Sequence, residues 1–188
     1  MNKDDLRQRL IQDYDFSNTG MKPYTRSRYL FNLMINPSIK YMFWVRHTRY
    51  YSENENKLLF VICYLIQNHY KYKYGYDVSY KSDIGGGIGL CHVTGIIVYP
   101  ESMGNRILIR NGVTIGESMP GSRKPRIGNN VYIGTGAKIL GDITIGDNVI
   151  IGANAVVTND IPSNSVAVGI PARVIRKTKD MWGTQMED

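Results

Sequence analysis

Aliphatic residues recur every six positions in the second half of the chain. Ile127, Ile133, Ile139, Ile145, Ile151 and Val157 share one register, and Gly128, Gly134, Gly146 and Gly152 directly follow four of them. Four residues beyond each anchor stands another apolar residue: Val131, Ala137, Ile143, Val149, Ala155 and Ile161. A six-residue period matches neither the turn of a helix nor the alternation of a lone strand. It matches a three-sided coil in which each hexapeptide gives one short parallel strand and one corner. The anchor fills the interior, and Gly, Asn and Asp at the corners tolerate positive φ. One coil cannot bury its own apolar face, so coils stack around a shared core. The pattern therefore predicts a parallel β-helix, a hexapeptide-repeat solenoid.

Upstream, Ile84, Leu90 and Ile96 keep the period, and a one-residue insertion then moves it to Met103, Ile109 and Ile115. The segment ESMPGSRKPR at 117–126 has two prolines and no anchor, and the register resumes at Ile127, twelve residues after Ile115. That spacing predicts an external loop on an intact coil, a common place for function. The coil domain is expected over 76–170 and a polar tail over 171–188.

Residues 1–75 differ: they are rich in Tyr, Arg, Asn and Lys and poor in Gly, which predicts a helical N-terminal region. Asn36-Pro37-Ser38 reads as a helix start, after which Ile39, Phe43, Arg46 and Tyr50 fall on one face. SENEN at 52–56 reads as a loop. A second helix is expected from Lys57 to about Lys71; it is apolar almost all round and so expected to be buried.

The 188 residues and 43% hydrophobic content suffice for a buried core. Cys63 and Cys91 match no metal spacing. With no secretory signal at MNKDDLRQRL, a reducing cytoplasm is the expected location. The longest apolar run, 58–66, is less than half of the roughly 20 residues that span a bilayer. The net charge of +7 is dispersed and lacks the aromatic motif of an RNA-binding module, so no nucleic-acid partner is expected. KYMFWVR at 40–46 mixes aromatic and basic residues like an interfacial helix, which would bring the protein to the inner face of a membrane. Packing of these aromatics inside the assembly is the alternative.

His92 is the candidate general base. It stands two residues after the anchor Leu90, at an outward position, and an imidazole titrates near neutrality. Asp77 lies fifteen residues earlier, a little less than one coil of about 18 residues, and can reach the imidazole from the adjacent coil. A carboxylate there would fix the tautomer. A solvated histidine and a turn aspartate are the plainer alternatives.

DVSYKSDIGGGIGLCHVTG at 77–95 resembles the active-site segment of serine O-acetyltransferases. GVTIG at 112–116, the following loop, GDITIGDNV at 141–149 and GIPARVIR at 169–176 continue the likeness. The resemblance implies a left-handed β-helix, acetyl-CoA as donor without a metal, and a homotrimer with active sites between subunits. It matches Asp77 and His92 to that family's catalytic pair. It places the donor along Gly116, Thr135, Ala153 and Thr158, with Arg173 and Arg176 for the phosphates. The segments SIKYMFWVR at 38–46 and HYKYKYG at 69–75 are similar to the branch that acetylates capsule, exopolysaccharide and lipopolysaccharide precursors.

Two departures bear on the acceptor. Where the resemblance expects an aspartate that engages serine's amine stands Cys91, and its Arg-His-Pro appears as Arg123-Lys124-Pro125. A neutral thiol cannot pair with an ammonium group. Cys91, Arg123 and Lys124 are thus candidate acceptor-binding residues, and the expected acceptor is a saccharide hydroxyl in surface-polysaccharide synthesis. Serine O-acetylation in cysteine biosynthesis is the alternative, and a non-catalytic trimeric scaffold a further one. Metal chemistry needs convergent histidines, whereas His47 and His69 lie in the helical region.

Overall fold

The computed structural model describes residues 1–17 and 24–178. Residues 179–188 of the expected tail lie outside them. Among the described residues the chain forms helices α1 (Lys3–Ser17), α2 (Arg26–Ile35), α3 (Pro37–Glu53) and α4 (Lys57–Tyr74), followed by the coil. At the start of α3 the Asn36 side chain accepts hydrogen bonds from the Ser38 and Ile39 amides at 3.0 and 3.2 Å, and Pro37 removes an orphan donor. Gly75, at φ 67°, ends α4 in the left-handed region and throws the chain into the first strand. A Cβ at Gly75 would stand 3.0 Å from the Thr94 Cα, so the turn also needs glycine for closeness.

Three faces make the coil. One sheet holds β1 (Tyr76–Val78), β4 (Ile96–Val98), β7 (Thr114–Gly116), β10 (Lys138–Leu140) and β13 (Val156–Val157). The second holds β2 (Asp83–Ile84), β5 (Ser102–Met103), β8 (Arg126–Ile127) and β11 (Thr144–Ile145). The third holds β3 (Ile88–Leu90), β6 (Ile107–Ile109), β9 (Val131–Ile133), β12 (Ile150–Ile151), β14 (Ser165–Gly169) and β15 (Ala172–Lys177). The chain visits the faces in rotation, and all neighbours except β14 and β15 are parallel. Anchors stack in columns: Val78, Val98, Ile115, Ile139 and Val157 on the first face, and Leu90, Ile109, Ile133, Ile151 and Ala167 on the third, all buried. At one corner, side chains cap the preceding coil's amides: Asn129 Oδ1 accepts from Asn105 N at 2.9 Å, and Asp147 Oδ1 from Asn129 N at 2.6 Å. Asn130, Asn148, Asn154 and Asn164 all take positive φ at such turns.

Several expectations change. Helices α1 and α2 were not legible from periodicity, and α3 runs through Glu53 into the expected loop. Helix α4 is not buried all round: Leu58, Val61, Ile62 and Leu65 are exposed, while Cys63 and Gln67 are buried. The interfacial-helix reading of 40–46 does not hold, because Tyr41, Met42, Val45 and Arg46 are buried. No helix among the described residues is long and apolar enough to cross a membrane. The first part of the expected tail is β15, which pairs antiparallel with β14. Finally, the extra residues lie before Val98, not after Ile96: eight residues separate Leu90 from Val98, where six separate Ile84 from Leu90. His92 is therefore on an extruded corner and not on a strand wall.

A buried ion pair joins helices to coil. Arg46 Nε and Nη2 donate to the Asp13 carboxylate at 3.0 and 3.1 Å, and the guanidinium also donates to the carbonyls of Ile84 and Gly85. Asp13 Oδ1 in turn accepts from the Ile88 amide at 2.9 Å. Thus α1, α3 and the first coil meet at one pair of charges. Replacing Arg46 with Met should cost about 3–5 kcal/mol in urea unfolding, because it strands a buried carboxylate. The double variant Arg46→Met with Asp13→Leu should recover much of that loss; a single variant as stable as the parent would contradict this role.

Candidate active site

The corner between β3 and β4 is built to expose an imidazole. The Cys91 amide makes the last ladder bond, to Ile109 O at 2.8 Å, and the ladder resumes when the Ile96 amide donates to Gly75 O at 3.1 Å. Between them His92 sits at φ 63° and Thr94 at φ 116°, both exposed. Left-handed backbone at non-glycine residues is sparsely populated and persists where surrounding structure imposes it. Below this corner runs a column of others. Thr94 O accepts from Gly112 N at 3.4 Å, Asn111 O from Gly136 N at 2.9 Å and Thr135 O from Asn154 N at 2.8 Å. Thr135 and Ala153 therefore lie in line beneath the His92 corner, on the entry edge of the first face. The turn between β14 and β15 closes the same edge, and Arg173 pairs with Val168 beside it.

The other donor candidates lie apart from that edge. Gly116 and Thr158 are at the exit edge of the first face, where Gly116 O accepts from Gly141 N at 3.0 Å. Arg176 pairs with Val166, farther along β15 than Arg173, and both arginines are exposed.

Asp77 lies mid-face on β1, aligned with Ile97 on the next coil, and opens into a cavity of 470 Å³ between α4, the first face and the 117–126 loop. Its Oδ1 accepts from the Tyr99 hydroxyl at 2.6 Å, and its Oδ2 pairs with Lys71 Nζ at 2.8 Å. Bonding to Asp77 pushes the Lys71 ammonium's pKa up. Burial first, and then the Asp77 bond, raise that of the Tyr99 phenol. Behind them burial pushes Tyr41, whose oxygen accepts from the Val78 amide, up to about 12. No hydrogen bond joins Asp77 to His92 among the described residues; Asp77 lies on β1, and His92 on the corner after β3 that leads into the next coil.

Of the acceptor candidates, Lys124 lines this cavity, its Nζ 5.9 Å from the centre of the Tyr99 ring. Arg123 instead faces Asp142 at 3.5 Å and is exposed. Cys91 is half-buried at the start of the extruded corner. Among the described residues no group of three His, Cys, Asp or Glu stands ready for a metal. Lys71 and Tyr99 were not singled out from the sequence. The available signal was a basic last turn of α4 followed by Gly75, a cap that folds Lys71 back against the first strand.

The family described as bacterial transferase hexapeptide (six repeats) matches residues 124–159. The chain is 43% identical over 118 residues to serine acetyltransferase 1, chloroplastic, of Arabidopsis thaliana, an alignment covering 61% of this chain and 38% of that protein. The chain spans less than half the length of that enzyme and of the Haemophilus influenzae serine acetyltransferase. The crystal structure of the Neisseria gonorrhoeae serine acetyltransferase is similar at a TM-score of 0.75 and 30% identity, over 95% of this chain and 70% of that one. A Brucella abortus serine acetyltransferase in complex with coenzyme A is similar at a TM-score of 0.74 and 27% identity, over 95% of this chain and 69% of that one. The two structural likenesses extend through the helical region, and with the Arabidopsis relative they overturn the saccharide acceptor and the polysaccharide branch expected from 38–46, 69–75 and Cys91. The chain belongs to the serine acetyltransferase family of hexapeptide-repeat transferases.

Proposed function

We propose that the protein is an acetyl-CoA-dependent O-acetyltransferase whose acceptor is serine. The observation that carries this reading is the exposed imidazole of His92, held out by a strained corner at the head of a column of small residues, with Asp77 on the adjoining coil. His92 accepts the proton of the serine hydroxyl as its oxygen attacks the thioester carbon. The tetrahedral intermediate collapses with loss of the CoA thiolate, which takes the proton back from the imidazolium. Thr135 and Ala153 leave room for the pantetheine arm, and Arg173 beside the terminal hairpin meets phosphate. No step requires a metal. Lys124 suits the serine carboxylate, and Asp77 and Glu101 are carboxylates lining the cavity.

A left-handed coil and a homotrimer belong to the same reading. Val93 and Ile97 are exposed beside the site, apolar surface that a neighbouring wall would cover while closing the donor groove. Light scattering should give three times the chain mass, and a monomer at micromolar concentration would contradict it.

The functional test is CoA release from acetyl-CoA with L-serine. His92→Ala should lower kcat by about 10²–10⁴ while leaving CoA affinity unchanged. Cys91→Asp should lower the serine KM by restoring a partner for the ammonium group. Parent enzyme that releases no CoA with serine would overturn the acceptor assignment, and an active His92→Ala would overturn the base.

A further inference from the structure

The cavity beside Asp77 holds contacts that take no part in the acetyl-transfer steps themselves. Both oxygens of this half-buried carboxylate are engaged: Oδ1 by the Tyr99 hydroxyl at 2.6 Å and Oδ2 by Lys71 Nζ at 2.8 Å. Lys71 comes from the last turn of α4 and Tyr99 from the residue after β4, so two elements converge on one side chain. An ionised carboxylate has about four acceptor positions. Two donors fix its plane and leave a position on each oxygen open to a third.

We propose that Lys71 and Tyr99 are positioning residues for the reaction: they clamp Asp77 in the orientation that receives His92, and the Lys71 ammonium offsets the pull of Asp77 on the imidazolium. The proposal rests on His92 as the base. A lone carboxylate beside a histidine stabilises the protonated ring and removes the base from action near neutrality. A lysine sharing that carboxylate weakens this effect while keeping its orienting role. The charged groups facing Asp77 are Lys71 from α4, Lys81 after β1, and Glu101 and Lys124 beyond β4. The phenols are Tyr64, Tyr80 and Tyr99 in the cavity and Tyr41 behind β1. Among these cations, Lys71 is the one in direct contact with the carboxylate.

The sign is definite. Removing Lys71 leaves the Asp77 charge unopposed, so the imidazolium is favoured and the His92 titration midpoint moves to higher pH. For Lys71→Met we expect an upward move of roughly half a pH unit, the size of one charge acting at partly screened range. Lys71→Gln should behave likewise, and Lys71→Arg should restore the parent midpoint. Tyr99→Phe keeps the charges but loosens the clamp, so it should lower kcat several-fold with little change in the KM for acetyl-CoA. The midpoint is read by NMR from isotopically labelled histidine in full-length protein without substrate, with the His92 signal assigned from His92→Gln. The acid limb of kcat/KM should shift in parallel.

A His92 midpoint identical in parent, Lys71→Met and Lys71→Gln, all folded by circular dichroism, would overturn the proposal. So would a shift that Lys71→Arg fails to reverse. Because the NMR titration needs no turnover, absence of acetyl transfer to serine would count against the acceptor assignment alone.

Discussion

Everything in this protein hangs on the repeated burial of one aliphatic side chain per strand. The columns through Ile115, Ile139 and Val157 and through Ile109, Ile133 and Ile151 fill the prism at almost zero exposure. Each such side chain contributes about 1.5–3 kcal/mol on leaving water. Since strands β1 to β13 hold only two or three residues each, a shift by one residue would turn an anchor outward, so burial and parallel register enforce each other. Corners carry little of this energy, and there the sequence is free to add residues. It does so beside the first face, at 91–95 and at 117–126.

The first extrusion presents His92; the second brings Lys124 to the cavity while Arg123 turns to Asp142. The helical region supplies what a bare coil cannot, a second wall. Its attachment is polar at the decisive point: the buried pair of Arg46 and Asp13 ties α1 and α3 to the first coil, and α4 packs alongside α3 with its last turn over β1. Lys71 reaches Asp77 because Gly75 reverses the chain at once. Stability of the helical layer and geometry of the site are thus linked through one short turn.

The coil was legible because its signal is redundant: anchors, glycines and small corner residues all repeat, and an interruption such as 117–126 stands out by resuming in phase. The same count set Asp77 and His92 a little less than one coil apart, but it could not say what holds the carboxylate, which is Tyr99 and Lys71. Less was legible in the helices. Helix α1 holds its place through Asp13 and Tyr14 and not through a strong apolar stripe, and Arg46 is buried only because Asp13 and two carbonyls receive it. Helical spacing puts Arg46 on one face with Ile39 and Phe43, but it gives no sign of Asp13 as its partner. The exact corner of insertion also escaped notice, since Ile96 is buried beside Val98 and can be mistaken for the anchor. The acceptor reading failed for a different reason: the change at Cys91 is real, but one missing carboxylate does not define another substrate when the wider chain and fold follow the serine enzymes.

Hydrogen exchange with and without saturating CoA tests the central claim most directly, namely that the column headed by His92 forms the donor groove. The account predicts slowed amide exchange at 91–95, 134–136, 152–154 and the 169–173 hairpin, with the second face unchanged. Protection along the second face, with the His92 column exchanging as freely as before, would contradict it.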